Sequence, residues 1–143
     1  MFSKACEYAL KTAIYIAQQT GQGRRVNVKE AAMAVDAPEA FTAKLLQQLC
    51  RENILTSTRG KQGGFIFDVE KQKSITIYEV VVLIDGPGIF TKCGLGLHRC
   101  SSENPCPVHN EFKVIREGLT QLVKEHTFYD LAQKTESGLA WLK

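Results

Sequence analysis

Apolar residues recur at three- and four-residue spacing from the start of the chain. Ala5, Ala9, Ala13, Ile14 and Ala17 share one stripe, which predicts an amphipathic helix over residues 4–19. "TGQGRR" (Thr20 to Arg25) ends it with two glycines. Asn27 then stands before "VKE" as an N-cap with Glu30 in the first turn, so a short helix is expected through Ala34. "DAPE" repeats the signal, with Asp36 as N-cap, Pro38 in the first turn and Glu39 near the positive end of the helix dipole. That third helix is expected to run to about Glu52. Phe41, Leu45, Leu46 and Leu49 make its apolar stripe, and Ala40, Lys44, Gln47 and Arg51 fall together on the opposite face.

The period then changes. "ILTSTRGKQGGFIF" is an apolar run, a Gly-rich basic turn and a β-favouring run, which predicts a hairpin with Arg59 and Lys61 at its tip. Thr76 and Glu79 are spaced as a capping box, so "IYEVVVLID" is expected to be a helix despite its three valines, with Gly86 and Pro87 as its stop. Farther on, Val108, Phe112, Ile115, Leu119 and Leu122 form an a/d seam, the mark of a long helix packed on another helix. Thr127 and Asp130 cap a last short helix.

These elements predict a mainly α fold with a small β-hairpin wing. Residues 1–86 form a winged helix-turn-helix, 87–106 a cysteine-rich loop, and 107–143 a long helix and a C-terminal helix in one compact chain. Two short helices joined by a tight "VD" turn and followed by a basic hairpin suit duplex DNA, with the second helix in the major groove and the wing on the backbone. The groove candidates are Thr42, Lys44 and Gln47; at the wing, Arg59 and Lys61 can neutralise phosphates and Gln62 can hydrogen-bond.

Composition narrows the setting. No apolar run approaches the roughly 20 residues of a membrane span. The opening residues mix Lys4, Glu7 and Lys11 among apolar ones without a signal-peptide layout, so a cytoplasmic protein is expected. A net charge of +3 permits nucleic-acid binding and needs a basic patch to argue for it. Five cysteines are an odd count for a disulfide framework, and in a reducing compartment clustered thiols point to metal or redox chemistry.

Three of those five, Cys93, Cys100 and Cys106, lie in "KCGLGLHRCSSENPCPVH" at C-x6-C-x5-C spacing, with His109 three residues beyond. Structural zinc favours four Cys or His ligands and often a tight C-x2-C pair, which this stretch lacks, although Cys106 and His109 make a half-site. Long, irregular spacing suits an iron–sulfur cluster, whose iron atoms need thiolates from several directions. A metal-free thiol sensor is the third reading. Asn104 and Pro105 read as a helix start that places Cys106 in the first turn, where a thiol is more acidic. Of the remaining candidates, Cys50 reads as core packing and Cys6 as structural, or as a residue near a second subunit's cluster. His98 is a weaker ligand candidate, and His126 reads as an interface or helix-end residue. No enzyme is expected: a thiol nucleophile needs a base and an oxyanion site, and only Cys106 with His109 approaches such a pair.

"LLQQLCRENILTSTRGKQGGF", the "EYAL" start, "ITIYEVVVLIDG", the cysteine loop and the "TFYDLA" ending together resemble the bacterial winged-helix repressors of the Rrf family. That family includes regulators that sense iron–sulfur status and nitric oxide. The resemblance spans nearly the whole chain, and "RGKQGGF" is its most specific part. It implies a homodimer joined mainly through the helix from about Pro107 to Glu125, bound to a partly palindromic DNA operator. Members that sense through an iron–sulfur cluster carry three cysteines in this loop, as here, which implies a 2Fe–2S or 4Fe–4S cluster on Cys93, Cys100 and Cys106; members without the cysteines respond to other signals. The fourth ligand would be His109, or Glu7 from the other subunit. The spacing between the first two cysteines departs by one residue from the commonest family pattern.

Overall fold

In the computed structural model, which describes residues 1–143, eight helices surround one two-stranded hairpin. α1 (Lys4–Gly21) begins at Ser3, whose hydroxyl accepts from the Cys6 N–H at 3.1 Å. Its buried face is Cys6, Ala9, Ala13, Ile16 and Ala17, small residues that let other helices approach closely. α2 (Val28–Ala34) is capped by Asn27, whose Oδ1 accepts from the Glu30 N–H at 2.8 Å, as expected.

Two expectations about α3 are corrected. α3 (Glu39–Arg51) has Pro38, not Asp36, as its N-cap residue. Asp36 lies in the tight turn after α2 with φ +54°, a left-handed conformation that Asp tolerates better than most residues. The buried stripe is Thr42, Leu45, Leu46 and Leu49, an i, i+3, i+4, i+7 set. Phe41 is displaced to the rim, 38% exposed, with its ring edge-on to Tyr8 at 6.0 Å.

β1 (Thr56–Thr58) pairs antiparallel with β2 (Gly64–Ile66) in the register Thr56↔Ile66, Ser57↔Phe65, Thr58↔Gly64. Val26 bridges β2 as well: its N–H donates to the Phe65 carbonyl at 3.1 Å and its carbonyl accepts from the Phe65 N–H at 2.7 Å. The wing is therefore tied to the segment that enters α2. This close approach explains the second glycine of "GG", and the hairpin's own backbone explains the first. A Cβ on Gly64 (φ +150°) would stand 2.8 Å from the Val26 carbonyl oxygen, and one on Gly63 2.1 Å from that of Thr58.

α4 (Val69–Ser74) escaped sequence reading because it is short and polar. Asp68 caps it, and buried Gln72 locks it to α1 by donating to the carbonyls of Ala17 at 3.2 Å and Phe67 at 2.6 Å. α5 (Ile77–Asp85) is a helix as expected, with the Glu79 carboxylate accepting from the Thr76 N–H at 2.8 Å. α6 (Gly88–Thr91) is a single turn, α7 (His109–Glu125) is long, and α8 (Phe128–Glu136) starts at the expected Thr127–Asp130 capping box.

The main core joins α1, α3, the wing and α5, and α8 returns to it through Phe128 and Ala132. A smaller core of Cys6, Val81, Phe90 and Val123 joins α1, α5, α6 and α7. On α7 the expected seam splits. Val108, Phe112 and Leu119 are half-buried within the chain, while Ile115 and Leu122 lie exposed beside Val114. No helix is long and apolar enough to cross a membrane.

Candidate DNA-binding surface and thiol site

Lys44 and Gln47 stand exposed on α3 with Ala40 and Arg51, so the polar face foreseen from the sequence is available to a partner. Thr42 is not. It is fully buried, and its Oγ1 donates to the Pro38 carbonyl at 2.8 Å, the bond that lets a hydroxyl occupy an apolar stripe. Thr42 therefore leaves the list of groove-facing residues. Arg59, Lys61 and Gln62 are all exposed in the turn between β1 and β2. A residue not singled out from the sequence joins them: Arg25 donates from Nη1 to the Gln62 carbonyl at 3.3 Å. Its signal was the paired arginines just before the α2 cap, read only as a helix-ending stretch.

The cysteine loop leaves α6 at Lys92 and rejoins helix at His109. Its path is held by short local bonds: Gly96 N–H to the Cys93 carbonyl at 2.9 Å, and Ser101 and Asn104 exchanging backbone bonds at 3.2 Å. Phe112 of α7 lies against Gly94, where a Cβ would meet the ring at 2.6 Å. Within this frame the sulfurs of Cys93, Cys100 and Cys106 all lie within 4.8 Å of one another, and Cys93 and Cys106 are 3.6 Å apart. All three are half-buried free thiols.

His109, mostly buried, places Nδ1 3.1 Å from the Cys100 sulfur. It touches that one sulfur and lies outside the group of three that sit within 4.8 Å of one another. Within the chain, the Glu7 carboxylate is engaged by Lys4 Nζ at 3.0 Å, and that ammonium holds it below the usual carboxylate range. His98 is exposed and stands outside the thiol group.

The expected acidity order is corrected. No helix starts at Asn104 or Pro105; α7 begins at His109, and Cys106 lies in the turn before it. The acidic thiol is Cys93, lowered to about 7 because the backbone N–H of Leu97, then that of Leu95, donates to its thiolate. At Cys106 the Val108 N–H works in the same direction, but burial and the neighbouring Cys93 and Cys100 sulfurs outweigh it and raise the thiol. Cys6 is pushed up to about 12 by burial, then by Asp85 and Glu7, and burial also raises Cys50. Both match the structural roles expected for them. Three soft sulfur donors with an imidazole beside them suit a thiophilic metal or cluster.

The same fold occurs in known proteins. Residues 2–134 match the Rrf2 family, described as an iron-dependent transcriptional regulator. A protein of Aquifex aeolicus named as an HTH-type transcriptional regulator is 31% identical over 141 residues, covering 97% of this chain and 96% of that protein. An rrf2-like HTH-type regulator of Rhodobacter capsulatus is 24% identical, covering 92% of this chain and 91% of its own. Among solved structures, CymR, the global cysteine regulator of B. subtilis, superposes with a TM-score of 0.77 at 20% identity, covering 93% of this chain and 96% of that one. T. potens IscR gives a TM-score of 0.72 at 17% identity, covering 98% and 91%. These structural likenesses establish the fold, and the relatives are named as regulators rather than enzymes. With the family match running through wing, loop and long helix alike, the chain belongs to the Rrf2 family of transcriptional regulators.

Proposed function

We propose that this regulator is a homodimeric repressor whose hold on a partly palindromic operator is set by an iron–sulfur cluster in its cysteine loop. Cys93, Cys100 and Cys106 would hold the cluster, with His109 as fourth ligand. The observation that carries this reading is the meeting of three sequence-distant sulfurs within 4.8 Å. Bound there, a cluster would make the loop responsive to iron supply as well as to nitric oxide and oxidants.

The chain provides the route from that loop to the DNA. At one end Phe90 anchors the loop in the small core with Cys6 of α1 and Val81 of α5. At the other, Phe112 and His109 anchor it to α7. A change in the spacing of the cysteines therefore pulls on α7 and on the helices beneath the winged domain together. In a dimer joined through α7 this alters the separation of the two α3 helices, and so their fit to half-sites about one helical turn apart.

Two rivals rest on the same sulfurs. A thiolate sits about 2.3 Å from zinc, which puts two on one tetrahedral ion about 3.8 Å apart; the 3.6 Å between Cys93 and Cys106 suits that too. The same pair is near enough to close as a metal-free disulfide switch. Anaerobic purification with iron, sulfide and zinc analysis and an absorption spectrum separates the three. Equimolar iron and sulfide with visible charge-transfer bands, lost in Cys93→Ser, is the expected result. A colourless protein with stoichiometric zinc, or one free of metal that resists anaerobic reconstitution, would reject the cluster.

A further inference from the structure

The two arginines of "GRR" differ in what they do. Arg24 is occupied: its Nη2 pairs with the Glu30 carboxylate at 3.0 Å, and its Nη1 donates to Gln19. Glu30 in turn accepts from the Tyr15 hydroxyl at 3.0 Å, so Arg24 knits α1 to α2. Arg25 is exposed and has no carboxylate partner. One of its five guanidinium donors reaches the Gln62 carbonyl, and four remain free.

Its position is held from two sides. Val26, the next residue, forms the rung with Phe65 of β2, and Asn27 after it caps α2, the first helix of the helix-turn-helix. Arg25 therefore stands at the corner where that motif and the wing meet. The recess there is lined entirely by polar residues and glycines, and Lys61, likewise without a carboxylate partner, faces it from the wing. Two unneutralised cations in one polar recess, one of them a planar fork, suit a phosphate diester.

We propose that Arg25, with Lys61 across the recess, grips one phosphate of the DNA backbone at the junction of the helix-turn-helix and the wing. This rests on the wing touching DNA as read above. The contact adds affinity without sequence preference and fixes the height of the wing on the duplex.

Fluorescence anisotropy on two labelled duplexes tests it, one from the protein's own upstream region and one of random sequence. Arg25→Ala and Arg25→Gln are expected to weaken both by a similar factor, roughly fivefold to tenfold at low salt. They should also reduce the slope of log affinity against log salt by about 1. Arg24→Ala should leave that slope unchanged while lowering the melting temperature. Arg59→Ala, outside the recess, reports on the wing alone. If Arg59→Ala weakens binding and the Arg25 variants do not, the inference is overturned and the wing stands. If neither weakens it, the wing reading fails and the inference with it. Weakening of the upstream duplex alone, with the slope intact, would also overturn it, because a phosphate grip cannot select sequence.

Discussion

Two residues behave against their local sequence, and both can be checked directly. Thr42 is polar and sits near the start of the recognition helix, yet its hydroxyl is spent on the Pro38 carbonyl inside the stripe. Thr42→Val keeps the shape, so DNA affinity by anisotropy should change by less than about twofold. Loss of a genuine base contact would cost about 1–3 kcal/mol, and a loss of that size would return Thr42 to the interface. Cys93 is the acidic thiol of the loop because two backbone N–H groups point at its sulfur. Its folded value lies below the ordinary thiol range, so its thiolate fraction, and its reactivity, rises as pH climbs through about 7. Iodoacetamide labelling of metal-free protein, read by peptide mass spectrometry from pH 6 to 9, should modify Cys93 first. Cys6, at about 12, should stay unlabelled until the chain unfolds. Equal labelling of Cys93 and Cys106 at pH 7 would contradict this ordering.

Among the elements, the wing carries the tightest backbone constraint. Beside its own three rungs it is bridged by Val26, which approaches Gly64 too closely for any side chain. Gly64→Ala would add a Cβ at 2.8 Å from a carbonyl oxygen and keep a φ of +150° that L side chains rarely adopt. A cost of about 1–3 kcal/mol is expected, seen as a melting temperature lowered by roughly 3 °C or more. An unchanged melting curve would show that the hairpin slides free of Val26. Element boundaries also explain the uneven legibility of the sequence. The caps of α2, α5 and α8 were readable because each is a contact between residues three apart. α4 and α6 were not, because nothing in six mostly polar residues or one turn outweighs their lack of periodicity. Their helicity comes from Gln72 against α1 and Phe90 against α5.

Over the whole molecule, the exposed part of α7 is the feature that a single copy does not satisfy. Val114, Ile115 and Leu122 are 68%, 63% and 50% exposed, with Gly118 between them. They follow one side of the helix, away from buried Val123. A second copy packed on this stripe is what the proposed dimer requires. Leu122→Glu should shift the protein from dimer to monomer by light scattering and lose operator binding at least tenfold, because a half-site then binds alone. A dimer that survives this change would place the interface elsewhere.

The chain's own order of residues was enough to establish the winged helix-turn-helix, the basic hairpin, the long helix and the grouping of thiols, since each rests on periodicity or on neighbours within a few positions. It favoured His109 over His98, but it placed the acidic thiol at Cys106 and Thr42 on the groove-facing side. Those two points were decided only in three dimensions. Cys93 and Cys106 meet across 13 positions because Phe112 presses on Gly94 and α7 starts late, at His109. Thr42 turns inward because it shares a face with Leu45, Leu46 and Leu49, and the Pro38 carbonyl takes up its hydroxyl. The thiol contacts join groups that the sequence holds apart and only the packed chain brings together, and which face of α3 is buried depends on what the helix packs against.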